Sequence, residues 1–167
     1  MTMKIAKDNR TKIKEILQLT GGFIWTLETL YGSDTLDGRL EMLRGLELGT
    51  VGREIADVMD RHGFRLIPKF ESHDLKHVIL DYGMTRREEI RMQAYLLGNG
   101  NYTLPCVGFL SIGLFYPSIW ADLIMQYKRG SKAKSIFSLT LDECMYCDLN
   151  EVRAEYASQH VGSVQLA

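Results

Sequence analysis

Hydrophobic residues recur along this chain at the three- and four-residue spacing of amphipathic helices. The first apolar stripes are Ile13, Ile16 and Leu17, then Phe23 to Tyr31, then Leu36, Leu40 and Leu43. Glycines, which commonly end helices, follow the first stripe at Gly21-Gly22 and the third at Gly45 or Gly49. The pattern therefore predicts three helices in the N-terminal part of the chain.

The next predicted helix has both a start signal and a stop signal. Thr50 is a typical N-cap ahead of the periodic segment from Val51 to His62, and Gly63 follows that segment. The residues from Arg65 to Pro68 are expected to be extended, because the residue before a proline avoids helical geometry.

A helical hairpin is predicted further along the chain. Its first helix covers about Ser72 to Tyr82 and ends at Gly83. The capping-box pattern Thr85-Arg86-Arg87-Glu88 begins its second helix, which runs to Gly98. The short connection makes the two helices neighbours that pack side by side.

A long segment without charged side chains comes next. Residues Met92 to Ala121 contain no Asp, Glu, Lys or Arg, and the stretch from Leu104 to Ile124 is apolar enough to raise the question of a membrane span. Pro105, Pro117 and Asp122 argue against one uninterrupted span. We therefore predict a pair of buried helices in this segment.

The C-terminal part repeats the capping signal twice. Thr140 to Glu143 and Asp148 to Glu151 predict a short helix and then a last helix that ends near Ala157. No alternating strand pattern, internal repeat or linker interrupts the sequence. It therefore predicts an all-α, single-domain helical bundle over residues 1–157, followed by a mobile tail over residues 158–167.

Composition supports a globular domain and narrows its partners. The chain has 167 residues, of which 46% are hydrophobic and 25% are charged, an ordinary balance. A net charge of −1 and a pI near 6.4 give no sign of a nucleic-acid partner. Three cysteines are too few for a disulfide framework, and the N-terminus has no secretory or organelle-targeting pattern, which favours a reducing cytoplasm.

The clearest candidate chemistry lies in the predicted hairpin. His73 and His77 are four residues apart, so their imidazoles share one face of a helix, and Glu89 begins the next helix close to His77. Asp74 can either bind the same ion or orient an imidazole from behind. These side chains predict a divalent-metal site. We expect zinc first; iron, manganese or cobalt also suits the site, and magnesium suits it less well.

Other interpretations of these residues stay open. The histidines are also ordinary polar residues of an amphipathic helix, and Glu89 complements a helix N-terminus. A metal-dependent hydrolase is a further alternative. The zinc-protease helix has a glutamate where this motif has Asp74, and a His–Asp phosphohydrolase arrangement would add His62 and Asp122. Cys144-x-x-Cys147 has zinc-knuckle spacing but no second pair, so core packing is its expected role.

The motif His73-Asp74-x-x-His77-x11-Glu89 resembles the signature of the coenzyme Q biosynthesis protein 4 family. Gly49-Thr-Val-Gly-Arg-Glu54 resembles a helix start in that family. Lys128 to Lys134 and Thr140 to Glu155 resemble the family's closing turn and helix pair. The resemblance covers about Leu48 to Ala157.

The resemblance implies an all-α fold and a divalent ion held by His73, Asp74, His77 and Glu89. It also implies attachment to the membrane surface, binding of prenylated quinone precursors and organisation of other quinone-biosynthetic enzymes. The reaction that it implies is an oxidative decarboxylation at C1 of a polyprenyl-hydroxybenzoate, with Asp74 as ligand or catalytic base. The alternative is a non-catalytic scaffold that binds the prenyl lipid and presents it to partner enzymes.

Two positions beside the signature differ from the residues usual in that family. Glu88 precedes Glu89 where glycine is common, and Gln93 follows four residues later where lysine is usual. Both changes leave the predicted ligands intact.

Under this resemblance the apolar segment and the basic residues after it also have a lipid-binding interpretation, and the alternatives are ordinary core packing for the segment and a solvated basic turn for the basic residues. Side chains that can line a groove for a prenyl tail are Phe109, Ile112, Phe115, Ile119 and Trp120. The basic residues that follow are Lys128, Arg129, Lys132 and Lys134. At roughly 1 kcal/mol each, they predict weak, peripheral attachment to the inner face of the membrane. Exposed apolar surface would also allow a homodimer.

Overall fold

The computed structural model describes residues 34–67 and 70–157 of the chain. The helices predicted ahead of residue 34, the extended position of Pro68 and the predicted tail at 158–167 lie outside these ranges. The described α-helices are α1 (Asp34–Arg44), α2 (Val51–His62), α3 (Glu71–Leu80), α4 (Arg86–Gly98), α5 (Leu104–Gly113), α6 (Trp120–Gly130), α7 (Leu141–Cys144) and α8 (Leu149–Tyr156). A 3₁₀ helix, Pro117–Ile119, lies between α5 and α6. One isolated bridge joins Thr50 to Asp148 and no sheet forms within these ranges, so the predicted all-α class is confirmed.

Helix α2 has the bounds that the sequence predicts. The Thr50 hydroxyl accepts a hydrogen bond from the backbone N–H of Arg53 at 3.3 Å, which satisfies one of the free donors of the first turn. Gly63 ends the helix in the left-handed region at φ 65°, where a side chain would be strained. Val51, Ile55 and Met59 point from one face of α2 into the core.

Helix α3 is offset from its prediction at both ends. It covers Glu71–Leu80 rather than Ser72–Tyr82. The residue that caps its C-terminus, Asp81, adopts the left-handed conformation at φ 57°. The predicted end at Gly83 was therefore wrong. The physical reason lies in tertiary packing: Tyr82 turns back into the core, where it is buried, and its N–H bonds to the carbonyl oxygen of His77 at 3.1 Å.

Helix α4 begins as predicted, at the Thr85 cap. The Thr85 hydroxyl accepts a hydrogen bond from the N–H of Glu88 at 3.3 Å. The Glu88 carboxylate pairs with Arg91 at 2.8 Å instead of reaching back to Thr85, so only half of the predicted capping box forms. Helix α4 then carries Glu89 in its first turn and continues to Gly98.

Helices α4 and α6 pack closely and run in the same direction. Arg91, in the middle of α4, pairs with Asp122 in the first turn of α6 at 2.8 Å, and the ends of the two helices approach each other at Gly98 and Gly130. A β-carbon on Gly98 would overlap the carbonyl oxygen of Tyr127 in α6, and one on Gly130 would overlap the backbone of α4. Only glycine at both positions allows the backbones to approach this closely.

The C-terminal helices tie the hairpin to the rest of the core. Thr140 and Glu143 form a complete capping box at α7, and the Asp148 carboxylate caps α8 by accepting from two backbone N–H groups. Helix α8 ends at Tyr156, as predicted. Arg153 of α8 donates through Nη2 to the carbonyl oxygen of Val78 at 2.8 Å, so α8 holds the last turn of α3 in place.

The predicted burial of the apolar segment was wrong. Helix α5 is mostly apolar, and only one side of it can face α4, so Cys106 is buried while Leu104 and Val107 are exposed. We call the following side chains, all more than a third exposed, the α5–α6 apolar surface: Leu104, Val107, Leu114, Phe115, Tyr116, Trp120, Ile124 and Met125. None of the helices in the described ranges is long and apolar enough to cross a membrane.

Candidate metal centre

Helix α3 and the first turn of α4 bring three of the four predicted ligands together. The Nε2 atoms of His73 and His77 lie 3.2 Å apart. The Oε2 atom of Glu89 lies 2.9 Å from Nε2 of His77 and 3.3 Å from Nε2 of His73. Among the described residues these three side chains form the group whose donor atoms can share one ion.

The size of this triangle fits a divalent metal ion. Zinc bonds of about 2.0–2.1 Å in tetrahedral geometry place neighbouring donor atoms about 3.3 Å apart. Octahedral coordination at about 2.1 Å places adjacent donors about 3.0 Å apart. The three distances in the cluster span this interval, so an ion can bind with little movement of the donor atoms. Two imidazoles and one carboxylate also match donor sets that zinc and iron use in proteins.

The neighbours of the three donors fix their orientation. The Nδ1 atom of His77 lies 3.1 Å from the carbonyl oxygen of Tyr82, which can only accept, so in the neutral imidazole the proton lies on Nδ1 and the Nε2 lone pair is available to a metal ion. The side-chain amide of Gln93 donates to Oε1 of Glu89 at 2.7 Å. Sequence reasoning missed both contacts. The four-residue spacing of Glu89 and Gln93 on one helix was the available signal for the second.

The three donors share a largely buried, electrostatically coupled environment. Burial opposes the charged form of Glu89, but hydrogen bonds from His73 and His77 outweigh it and hold the pKa of Glu89 far below its usual range. Burial also opposes protonation of His77, yet the hydrogen bond and the charge of Glu89 raise the pKa of His77 overall. A proton on Nε2 of His77 and a metal ion would therefore compete for the same face of the cluster.

One side of the cluster faces solvent. The side chain of His77 is 4% exposed and that of Glu89 is 17% exposed, whereas that of His73 is 29% exposed. Any further ligand of a bound ion would therefore approach past His73.

The fourth predicted ligand, Asp74, does not join the donor group. It lies close enough to His73 and His77 to interact with their charges, but its oxygens are not among the atoms that come together. Burial raises the pKa of Asp74 to about 6, and the two imidazoles oppose this rise. Its position suits a group beside the centre more than a ligand in it.

The residues of the alternative interpretations lie elsewhere. His62 stacks on Phe64 at the exposed end of α2, with ring centroids 5.5 Å apart, and Asp122 pairs with Arg91. Neither belongs to a metal-binding group among the described residues, so the phosphohydrolase arrangement does not assemble there. Cys144 is buried, as expected for core packing, whereas Cys147 is exposed, and both thiols are free.

The fold and this cluster define an all-α protein with two histidines and a glutamate able to hold a metal ion. No known family model matches the sequence, and no curated protein matches it. The fold is similar to that of a protein from Nostoc punctiforme, solved by crystallography and named provisionally as a ubiquinone biosynthesis protein. That chain is 21% identical, the match covers 80% of this chain and 78% of the other, and the TM-score is 0.51. At this identity the likeness shows a shared fold.

Proposed function

We propose that this chain is a divalent-metal protein of quinone biosynthesis that acts on a prenylated hydroxybenzoate. The observation that carries the proposal is the triangle of His73, His77 and Glu89, whose donor atoms lie 2.9 to 3.3 Å apart. The resemblance of the same residues to the signature described above supports the pathway. The name of the structural neighbour from Nostoc punctiforme points to the same pathway.

The proposed reaction removes the ring carboxylate as carbon dioxide and puts a hydroxyl in its place. Starting from the ionised carboxylate, its balance requires dioxygen, two electrons from a donor and three protons, and it forms one water. A bound divalent ion would supply a Lewis acid for the oxygens of the substrate. Because the cluster is open past His73, we expect the substrate carboxylate to approach from that side.

Within this proposal the chain's own residues orient the centre and handle protons. Tyr82 fixes the tautomer of His77 through its carbonyl oxygen. Asp74, next to the imidazoles but outside the donor group, is the residue that we assign as the proton acceptor.

The surroundings of Glu89 also suit a substrate with an apolar tail. The backbone of Gly113 at the end of α5 packs against the residue after Glu89, since a β-carbon on Gly113 would lie 3.0 Å from Ile90. Trp120 donates through its indole N–H to the carbonyl oxygen of Gly113 at 3.1 Å. Through Gly113 and Trp120 the α5–α6 apolar surface is connected to the residue that follows Glu89 in α4, and we expect a prenyl tail attached to the ring to extend along this surface.

Metal content tests the proposal first. We would purify the wild type without a histidine tag, incubate it with zinc, manganese, iron or cobalt salts, and determine bound metal by elemental analysis. We expect about one ion per chain in the wild type and none in His77→Ala. His62→Ala is the matched control, because His62 lies outside the cluster, and it should bind as the wild type does. No metal in the wild type would contradict the proposal.

Turnover then separates an enzyme from a binding protein. Loaded wild type, given a synthetic prenylated hydroxybenzoate, dioxygen and a reductant, should release carbon dioxide, and His77→Ala should not. Equal release from both proteins would rule out catalysis at this cluster. A loaded wild type that binds the substrate without releasing carbon dioxide would favour the second candidate.

The second candidate is a non-catalytic module that binds a prenyl lipid at the membrane surface and presents it to partner enzymes. The exposed apolar side chains of α5 and α6 favour it, because apolar patches of this kind mark binding surfaces. A groove on α6 continues that surface towards basic residues, and its lining is Ala121, Ile124, Met125, Lys128, Arg129 and Lys132. Apolar side chains beside cations complement an anionic lipid surface.

Vesicle sedimentation tests this candidate. We expect binding to vesicles that contain anionic phospholipid, weakened by salt, and about 30-fold weaker when Lys128 and Lys132 are both changed to Gln, since each cation contributes roughly 1 kcal/mol. Unchanged binding in the double variant would contradict the electrostatic part of the candidate. A dimer in light scattering that Phe115→Ser dissociates would assign the surface to a second copy of the chain instead.

A further inference from the structure

Gln93 is a buried polar residue in direct contact with the candidate metal centre. Its side chain is only 3% exposed, and its amide donates to Oε1 of Glu89 at 2.7 Å. The other carboxylate oxygen, Oε2, faces the two imidazoles of His73 and His77. The two oxygens of Glu89 therefore have different partners.

The chemistry of the two groups makes this contact directional. An ionised carboxylate only accepts hydrogen bonds, so the amide nitrogen of Gln93, and not its oxygen, must face Oε1. The hydrogen bond is charge-assisted and lies in a largely buried environment, which strengthens it. Gln93 is itself held, because its backbone carbonyl oxygen accepts from the Cys106 thiol of α5 at 3.5 Å.

We propose that Gln93 is a positioning residue that occupies Oε1 of Glu89, so that Glu89 binds the ion through Oε2 alone. A glutamate that binds through one oxygen leaves free a coordination position that it would otherwise fill with the second. That position is then available to an oxygen of the substrate. This inference rests on the proposed metal function and adds to it the residue that controls how Glu89 ligates.

Cobalt(II) binding tests the inference, because the visible absorption of cobalt reports coordination number as well as affinity. Gln93→Met keeps the approximate size of the side chain and removes the amide donor. We expect its cobalt affinity to fall about 10- to 100-fold, the usual effect of losing a residue that orients a metal ligand. We also expect a weaker absorption band, because Glu89 can then bind through both oxygens and raise the coordination number.

Gln126→Met is the matched control. Gln126 is also a fully buried glutamine, on α6, and it contacts none of the three donors: its amide nitrogen donates to Asp122 at 2.9 Å, and its amide oxygen accepts from the Tyr82 hydroxyl at 2.7 Å. We expect this variant to lose stability but to keep the wild-type cobalt spectrum. Circular dichroism checks that each variant folds. If Gln93→Met does not fold, Gln93→Asn replaces it, because its shorter amide stays polar but cannot reach Oε1.

The outcomes distinguish the two proposals. If the wild type binds no cobalt, the metal function fails and the role of Gln93 fails with it. If the wild type binds cobalt and the folded Gln93 variant has the same affinity and spectrum, only the role of Gln93 is overturned. A spectral change shared equally by Gln126→Met would also overturn it, because the effect would then follow from loosened packing.

Discussion

The α3–α4 hairpin and the α5–α6 segment each depart from the usual arrangement, in which apolar side chains are buried and polar side chains are exposed. In the hairpin, polar groups lie inside: His77 and Gln93 are 4% and 3% exposed. In the segment that follows, apolar groups lie outside: Phe115 is 78% exposed and Leu104 is 88% exposed. Buried polar residues and large exposed apolar patches are the informative departures from the rule that apolar residues lie inside.

The difference between the regions lies in their partners. The buried polar groups at the cluster have partners within the fold: His77 meets Glu89 and the carbonyl oxygen of Tyr82, and Gln93 donates to Glu89. Among residues 34–67 and 70–157, no element covers the exposed apolar side chains of α5 and α6 in a comparable way. The hairpin holds its polar groups through contacts within the fold, whereas we propose that the segment holds its apolar groups ready for a binding partner. Testing the comparison requires variants that change one region and leave the other intact.

The largest effect is expected where the regions join, at the crossing of α4 and α6. Gly130→Ala would place a methyl group against the α4 backbone near Tyr95, which cannot move aside as a side chain would. We expect it to lower the free energy of unfolding by about 3 kcal/mol, at the upper end of overpacking effects. Urea denaturation followed by circular dichroism measures the change.

Gly108→Ala is the control for this substitution. Gly108 lies in α5, and a β-carbon there would meet nothing within 4 Å. Replacing it should stabilise the protein by about 0.5–1 kcal/mol, because alanine is the better helix former. Equal stability changes in the two variants would mean that α4 and α6 are not held together at this crossing.

The next largest effect should be a difference in zinc affinity between variants of two acidic residues of the hairpin, Glu89 and Asp74. Glu89→Gln removes a donor of the triangle, so we expect zinc affinity to fall by more than about 100-fold. Asp74→Asn changes a group beside the triangle, and we expect a loss of about tenfold or less together with loss of turnover. Competition titration against a chelator measures both affinities. A greater loss in Asp74→Asn than in Glu89→Gln would restore Asp74 as a direct ligand.

The hairpin was largely predictable because its signals are local. Spacing along one helix places His73 and His77 on one face, and the Thr85 cap sets where α4 begins and hence where Glu89 lies. The end of α3 was not predictable in this way. Its last turn is bound by Arg153, which donates to the carbonyl oxygen of Val78 from 75 residues away in sequence. Nothing in the sequence around Asp81 predicts that contact.

The burial of the α5–α6 segment was mispredicted because hydropathy depends only on the residues of the segment and not on the elements that pack against it. An apolar helix such as α5 is buried only if other elements surround it, and the sequence does not say how many will. The role of Gln93 was missed for a related reason. Its spacing from Glu89 allows a contact, but which oxygen it meets depends on side-chain conformations fixed by packing.

Phe115→Ser should change the binding properties of the α5–α6 apolar surface and leave the metal affinity of the hairpin unchanged. Because Phe115 is exposed, we expect its replacement to change the free energy of unfolding by no more than about 0.5 kcal/mol. Zinc affinity should stay at the wild-type value. Partition onto anionic vesicles should fall about tenfold, because a phenylalanine that enters the interface contributes roughly 1.5 kcal/mol or more. A marked loss of stability would show that Phe115 packs within the fold.

The smallest effect should be a pH dependence confined to the hairpin. In the metal-free protein the pKa of His77 is raised, because the hydrogen bond and charge of Glu89 outweigh the burial that opposes protonation. The proton on His77 therefore stabilises the fold below its ordinary pKa of about 6.5, and this contribution is lost as the pH rises through the raised value. The pKa of Glu89 lies far below this range, so its contribution stays constant there.

Zinc should reverse the sign of this dependence, because it binds the neutral imidazole and must displace the proton. From about pH 6 to about pH 8 we expect the Tm of the zinc-free protein to fall and the gain in Tm on adding zinc to grow, each by a few degrees. Scanning calorimetry measures both changes, and His77→Ala should lose both. The α5–α6 apolar surface contains no histidine, aspartate or glutamate, so Phe115→Ser should keep the wild-type profile. A zinc effect that shrinks as the pH rises would mean that zinc does not compete with the proton on His77.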